Sequence, residues 1–294
     1  MNAFHNPVMV QEVLNGLDVR EGRKYIDATV GGGGHAWEIV NCGGNILGID
    51  QDREALEFTK RKLEVESGKS EKKTSWTLVQ GNFRDIEKIA KENGFNEADG
   101  ILFDLGVSSH QIDTPERGFS FRYSHAPMDL RMDQGQGMPA SEYIKKLSEL
   151  ELYEIFASFG EEKLARTIAG AIVRARRVKA IATTGDVVSV VDSLVRVPRG
   201  RIGTYARIFQ ALRISVNDEL GALKVGLRGA AMVLRSGGRL VVLSYHSLED
   251  RIVKREIGRL GFRPLNKRPL TPNDSETRRN SRSRSAKLRI SEKL

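Results

Sequence analysis

The chain has 294 residues, 39% of them hydrophobic and 29% charged, a balance that suits a soluble globular protein able to bury a sizeable core. The single cysteine, Cys42, excludes an internal disulfide and a cysteine-rich metal site, and no apolar run approaches the ~20 residues that cross a bilayer. The net charge is +9, and all of the excess lies from Lys254 to Leu294, where 13 Lys and Arg face 4 Asp and Glu. The segment Met1–Pro7 has no basic stretch followed by an apolar one, so no secretion signal is expected, and a reducing cytoplasm fits.

In chain order, Lys24–Val30 reads as a buried strand, followed by a glycine run and a short helix at Ala36–Asn41. Asn45–Asp50 is a second strand. Arg53–Glu66 carries Ala55, Leu56, Thr59 and Leu63 at helical spacing, and polar Ser67–Ser75 reads as a loop. Trp76–Val79 is a third strand, Asp85–Asn93 a helix and Gly100–Leu105 a fourth strand. Strands alternating with helices predict an α/β fold, a parallel sheet covered on both faces. The alternation stops at Gly106–Met138, rich in Gly, Ser, Asp, Pro and aromatics, which reads as an ordered loop. Ala140–Val197 is purely helical, and the helical pattern persists from Ala206 to Leu234. Gly238–Ser244 reads as a strand that resumes the α/β domain. The expected division is residues 1–112 with 206–294, carrying a basic tail from about 263, and an inserted loop and helical domain at 113–205.

Gly31–Gly34 lies between a strand and a helix, where backbone must turn tightly and approach a ligand. The helix start offers free N–H groups to a carboxylate or phosphate. Asp50 closes the second strand, where an acid can accept both hydroxyls of a ribose. Together these predict a site for an adenosine-containing cofactor. Gly31-x-Gly33-x-x-Ala36 also satisfies a relaxed dinucleotide fingerprint, so NAD competes. Asp104 at the end of the fourth strand and Phe83 after the third favour S-adenosylmethionine, although Phe83 reads equally as a core residue. His35 shapes the pocket rather than performing catalysis, and the five histidines show no metal spacing.

The segment Asp104–Gln111 leaves the carboxyl end of a strand, the edge where open parallel sheets bind ligands. Arg117–Tyr123 sets two Arg beside three aromatics, which suits either stacked bases and phosphate or a small core under a long loop. Pro127–Asp133 reads as an internally salt-bridged loop or a lid. Lys163–Lys179 and Arg196–Arg213 are basic and free of Asp and Glu; with the tail they favour a polyanion partner. The tail itself is either a solvated end or a phosphate-binding arm. His246 either lines a base pocket or is structural.

These motifs resemble the bacterial 16S ribosomal RNA cytosine-N4 methyltransferases, the MraW/RsmH family. The likeness rests on His5–Met9, Val30–His35, Asp99–Gln111, Arg117–Phe121, Pro127–Asp133, Phe209–Ile214 with Asn217, and Ser244–Arg251, and spans about His5 to Arg289. It implies a class I S-adenosylmethionine-dependent methyltransferase, a Rossmann-like parallel sheet with an inserted helical domain. The implied activity is methylation of N4 of a cytidine in the decoding region of 16S ribosomal RNA, within the small ribosomal subunit. Implied cofactor contacts are Gly33, Gly34, His35, Asp50, Phe83, Asp104 and Gln111. Asp104 is the catalytic candidate; substrate-binding candidates are Arg117, Phe119, Asp129, Arg131, Arg213 and His246; no metal is implied. The sequence departs from the family at Ala36, where Ser is frequent. It also departs at Gly203–Arg207, in place of His-Pro-Ala-Thr-Arg, and at Asn280–Ser285, in place of Asn-Pro-Arg-Ala-Arg-Ser.

Overall fold

The computed structural model describes residues 7–67, 74–195 and 197–294, with the side chains of Ser67 and Arg199 left out. His5, Asn6, most of the predicted 67–75 loop and Arg196 lie outside the described residues. Helices and strands alternate at first: α1 (Val10–Leu17), β1 (Lys24–Asp27), α2 (Gly34–Asn41), β2 (Asn45–Asp50), α3 (Arg53–Ser67), β3 (Trp76–Gln80), α4 (Ile86–Glu92) and β4 (Ala98–Asp104). A helical stretch follows, with α5 (Ser109–Asp113), α6 (Ala140–Lys146), α7 (Glu149–Ser158), α8 (Ala165–Val178), α9 (Thr184–Leu194) and α10 (Pro198–Asn217). The chain ends with α11 (Glu219–Val233), β5 (Leu234–Ser244), α12 (Ser247–Arg259), β6 (Phe262–Pro264), α13 (Asp274–Arg279) and β7 (Lys287–Lys293).

Two compact units result, Met1–Ser108 with Leu220–Leu294, and Ser109–Glu219. The boundary expected at 205/206 falls inside α10. That helix runs on through buried Ile208, Phe209, Ala211 and Leu212, and stops only where Asp218 turns left-handed at φ 47°. No breaker occurs at 205, so helical packing carries the inserted unit to its end.

In the first unit, the sheet order is β3-β2-β1-β4-β5-β7-β6. The pairs β1–β2, β2–β3, β1–β4 and β4–β5 are parallel, whereas β7 runs antiparallel to both β5 and β6. Side chains alternate between two buried faces. Ile26, Leu47, Ile101, Phe103 and Val242 pack with residues of α4, α11 and α12, such as Ile86, Leu227 and Val253. Tyr25, Ile46, Leu102, Val241 and Leu288 pack with Val13, Ile39 and Leu63 of α1, α2 and α3. Burial on both faces explains why these strands read as apolar runs in the sequence.

The basic tail is not a free end. Its last segment forms β7, which lies between β5 and β6, with Leu288 fully buried and Arg289 paired to Asp250 at 2.7 Å. Charged residues interleaved with Leu288 and Ile290 hid the strand's period-2 signal.

In the second unit, two helices begin with reciprocal caps, Ser148 with Glu151 and Thr183 with Asp186. Leu152, Phe156, Ile168, Ile172, Val187 and Leu212 form its dry centre. The segment 114–139 is tied down rather than open. Gly118 has φ +70°, and a Cβ there would lie 2.2 Å from the Pro127 carbonyl oxygen, so only glycine fits. The Asn217 amide donates to the Leu130 and Arg213 carbonyls, and its oxygen accepts from Met132 N–H.

Candidate active site

The glycine loop is shaped by its neighbours in the first unit. Gly33 has φ +67°, and a Cβ on it would meet Thr59 at 2.6 Å. Thr59 Oγ1 donates to the Gly31 carbonyl at 2.7 Å, which pins the loop to α3. Gly34 opens α2 and packs against Pro7, where a Cβ would come within 2.9 Å. The loop thereby delivers the first turn of α2, with its free N–H groups, to the carboxyl edge of the sheet.

Three carboxylates gather on that edge, at the ends of adjacent strands β2, β1 and β4. Asp50 accepts N–H bonds from Gly31 at 2.8 Å and Asp52 at 2.9 Å. Burial lifts its pKa to about 6, against the lowering effect of those two amides. Each oxygen retains acceptor capacity, which suits a ribose diol. Asp27 is 1% exposed, and burial, reinforced by the charges of Asp104 and Asp50, pushes its pKa to about 8. It accepts from Thr29 N–H, and Thr29 Oγ1 accepts in turn from Asp104 N–H at 2.6 Å.

Asp104 is fixed at one oxygen and faced by a histidine at the other. The Tyr245 hydroxyl donates to Oδ1 at 2.7 Å, and His35 Nδ1 stands 3.6 Å from Oδ2. His35 Nε2 lies 2.9 Å from the Val8 carbonyl, an acceptor only, so Nε2 carries a proton. Burial, then the neighbouring Asp104 carboxylate, raises the Tyr245 pKa well above its usual value, so this phenol remains a donor.

Gly33, Gly34, His35, Asp50, Asp104 and Phe83 all belong to this unit. Phe83 meets Phe103 edge to face, with ring centres 5.6 Å apart, and backs onto Gly226. Much of its ring therefore packs on the core. Gln111 is buried in α5 of the inserted unit.

The predicted target-side residues are committed to local structure. The buried Arg117 donates to the Arg131 and Met132 carbonyls and lies over the Phe119 ring. Arg131 forks onto both oxygens of Asp129, at 2.7 and 3.1 Å. Burial opposes ionisation of Asp129, but bonds from Arg131 and Gln134 outweigh it and hold its pKa below normal. Arg213 grips Glu219 in the same two-pronged way. His246 accepts from Glu249 N–H and caps α12.

The second acid-free basic stretch also finds partners through the fold. Arg201 pairs with Asp192, Arg207 with Glu162, and Arg213 with Glu219. Tertiary contacts supply the carboxylates that the local sequence lacks. Sequence reasoning missed Asp27, Thr29 and Tyr245 as members of the site. An acid inside an apolar strand was the available signal for Asp27; nothing in the sequence pointed from Tyr245 to Asp104, 141 positions earlier.

A Rossmann-like sheet of this order, with glycine loop and acids on its carboxyl edge, is the frame of a class I S-adenosylmethionine-dependent methyltransferase. A profile of the MraW methylase family matches residues 2–294, and the chain belongs to that family. The ribosomal RNA small subunit methyltransferase H of Symbiobacterium thermophilum is 42% identical over 317 residues, covering 99% of this chain and 98% of that one. The protein of the same name from Cytophaga hutchinsonii is 42% identical over 308 residues, covering 99% of each. Among solved structures, an rRNA methylase from Streptococcus thermophilus aligns at TM-score 0.42 and 12% identity, over 97% of this chain and 96% of that one. Family membership removes the NAD reading that the glycine fingerprint had left open. Among the described residues no helix is long and apolar enough to cross a membrane.

Proposed function

We propose that the chain methylates N4 of a cytidine in the decoding region of 16S ribosomal RNA, in the cytoplasm and within the small ribosomal subunit. The observation that carries this reading is the Asp104 carboxylate, held on the carboxyl edge of the sheet by Tyr245 and facing His35. The two relatives named for small-subunit RNA methylation, alike over nearly the whole chain, support the substrate.

Gly33, Gly34, His35, Asp50, Phe83 and Asp104 would hold the cofactor. When bound, S-adenosylmethionine supplies a methyl group made electrophilic by its sulfonium. The chain's own task is to prepare the nucleophile, because the N4 lone pair is delocalised into the cytosine ring. Asp104 accepts a hydrogen bond from the amine, which favours a tetrahedral nitrogen with its lone pair free. The Tyr245 hydroxyl fixes Oδ1, so the carboxylate is oriented before substrate arrives. Arg117, Phe119, Asp129 and Arg131 act by shaping the 114–139 loop, Arg213 by pairing with Glu219, and His246 by capping α12.

The test is methyl transfer from labelled S-adenosylmethionine to small subunits lacking the modification, followed by nucleoside analysis. Label in N4-methylcytidine is expected. Label in another nucleoside would overturn the target, and no label in RNA, with cofactor binding intact, would overturn the substrate class.

A further inference from the structure

The segment between β6 and β7 is anchored at the active site, and its cations point outward. Pro264 pairs with Ser291 and Lys287 with Ser244, so the residues joining these strands stand where β5 ends. Asp104 pairs with Leu243 on that same edge. Three contacts anchor the segment to the rest of the fold, and one bond pins a turn within it. The Asn266 amide group binds Leu288 and Ile290, and Leu270 bridges to Leu288. Ser283, fully buried, donates to the Asn280 carbonyl at 2.7 Å. Glu276, in α13, accepts the Met9 N–H at 2.7 Å.

That last contact ties the segment to the chemistry. Met9 adjoins Val8, whose carbonyl meets His35, and His35 faces Asp104. From Asn266 to Ala286 the chain holds six Lys and Arg against two carboxylates. Five of them, Lys267, Arg268, Arg278, Arg279 and Arg284, are exposed and form no ion pair among the described residues. Their state differs from that of Arg263, Lys287 and Arg289, which pair with Glu292 or Asp250. A folded bracket that keeps five guanidinium and ammonium groups unneutralised fits a phosphate chain.

We propose that Lys267, Arg268, Arg278, Arg279 and Arg284 form a phosphate-gripping face on the rim of the Asp104 site, which takes the single-stranded RNA backbone flanking the target nucleotide. The inference rests on RNA as the substrate. The cations act close to the reacting base, not as a distant tether. They therefore set the affinity for RNA and leave cofactor binding and the chemical step unchanged.

The experiment compares wild type with the triple variant R278Q/R279Q/R284Q. Binding of a labelled single-stranded oligoribonucleotide is followed by anisotropy across a salt series, and methyl transfer to unmodified small subunits is assayed in parallel. Removing three phosphate contacts is expected to flatten the slope of log K against log salt by about two, at ~0.7 per contact on single strands. KM for subunits should rise at least tenfold, with kcat and S-adenosylmethionine affinity retained; the retained affinity also shows that the variant folds. Wild-type methylation of RNA with slope and KM unchanged in the variant overturns this inference alone. No methyl transfer to RNA by the wild type overturns the substrate reading, and this inference with it.

Discussion

The carboxylates on the carboxyl edge of the first unit and those within the inserted unit live under opposite rules. On the edge of the first unit, Asp27 and Asp50 are lifted to about 8 and about 6 by burial, with no cation paired to them among the described residues. In the inserted unit, Asp129 is paired to Arg131 and held below normal. Asp186 is drawn down to about 2, where bonds from Lys179 and Thr183 outweigh burial. A protein neutralises its acids where they serve the fold. The acids left costly and unpaired lie on the edge where open parallel sheets receive ligands, as expected of groups that meet a ligand rather than a neighbour. The same contrast divides the cations: Arg201, Arg207 and Arg213 of α10 are paired, whereas Lys267, Arg268, Arg278, Arg279 and Arg284 form no ion pair among the described residues.

The sharpest test of this contrast is Asp104→Asn. Methyl transfer should fall by about 10³-fold or more in single-turnover assays, on the scale of a positioned proton acceptor, with the fold intact. Near-normal activity would place Asp104 among the structural acids. On the other side, Asp129→Asn should cost about 2 kcal/mol of stability, by leaving a half-buried Arg131 short of its partner. Urea unfolding measures this, and activity should survive below the new midpoint. A variant of normal stability but no activity would instead move Asp129 into the working set.

Asp50→Asn should raise the cofactor dissociation constant about tenfold, the size of one charge-assisted hydrogen bond. In the wild type, protonating Asp50 turns one acceptor oxygen into a donor. Cofactor affinity should therefore fall as pH drops through about 6, and the variant should lose that dependence. Calorimetric titration across pH checks both.

The smallest effect is expected at Asp27. The folded protein keeps a proton on this group up to about pH 8, whereas the unfolded chain releases it near 4. Between those values the folded state binds more protons, so this contribution to stability declines as pH rises. Asp27→Asn should flatten that decline and raise Tm at pH 8 by a few °C. An unchanged melting profile against pH would show that Asp27 is ionised in the fold.

The sheet was legible because its strands are buried on both faces and its breaks carry glycine. Asn45–Asp50 and the loop at Gly31–Gly34 were readable from local residues alone. The acids proposed to meet the cofactor could be named because they sit at predictable strand ends. The pairing of the proposed target-side residues could not be read. Whether Arg213 or Arg131 is free depends on Glu219 and Asp129 reaching it in three dimensions, and spacing does not reveal that. His246 was ambiguous for the same reason: its partner, the Glu249 N–H, becomes a partner only once α12 begins at Ser247. The tail misled most, because a charge run conceals a strand whose apolar side is only Leu288 and Ile290.

The sheet cannot close without β7. The last seven residues but one of the chain form an inner strand, and β6 has no place in the sheet until they arrive. Without β7, the flank of β5 offers a row of unpaired amides and carbonyls to any passing strand. Chains cut before Lys287 should therefore clump rather than fold.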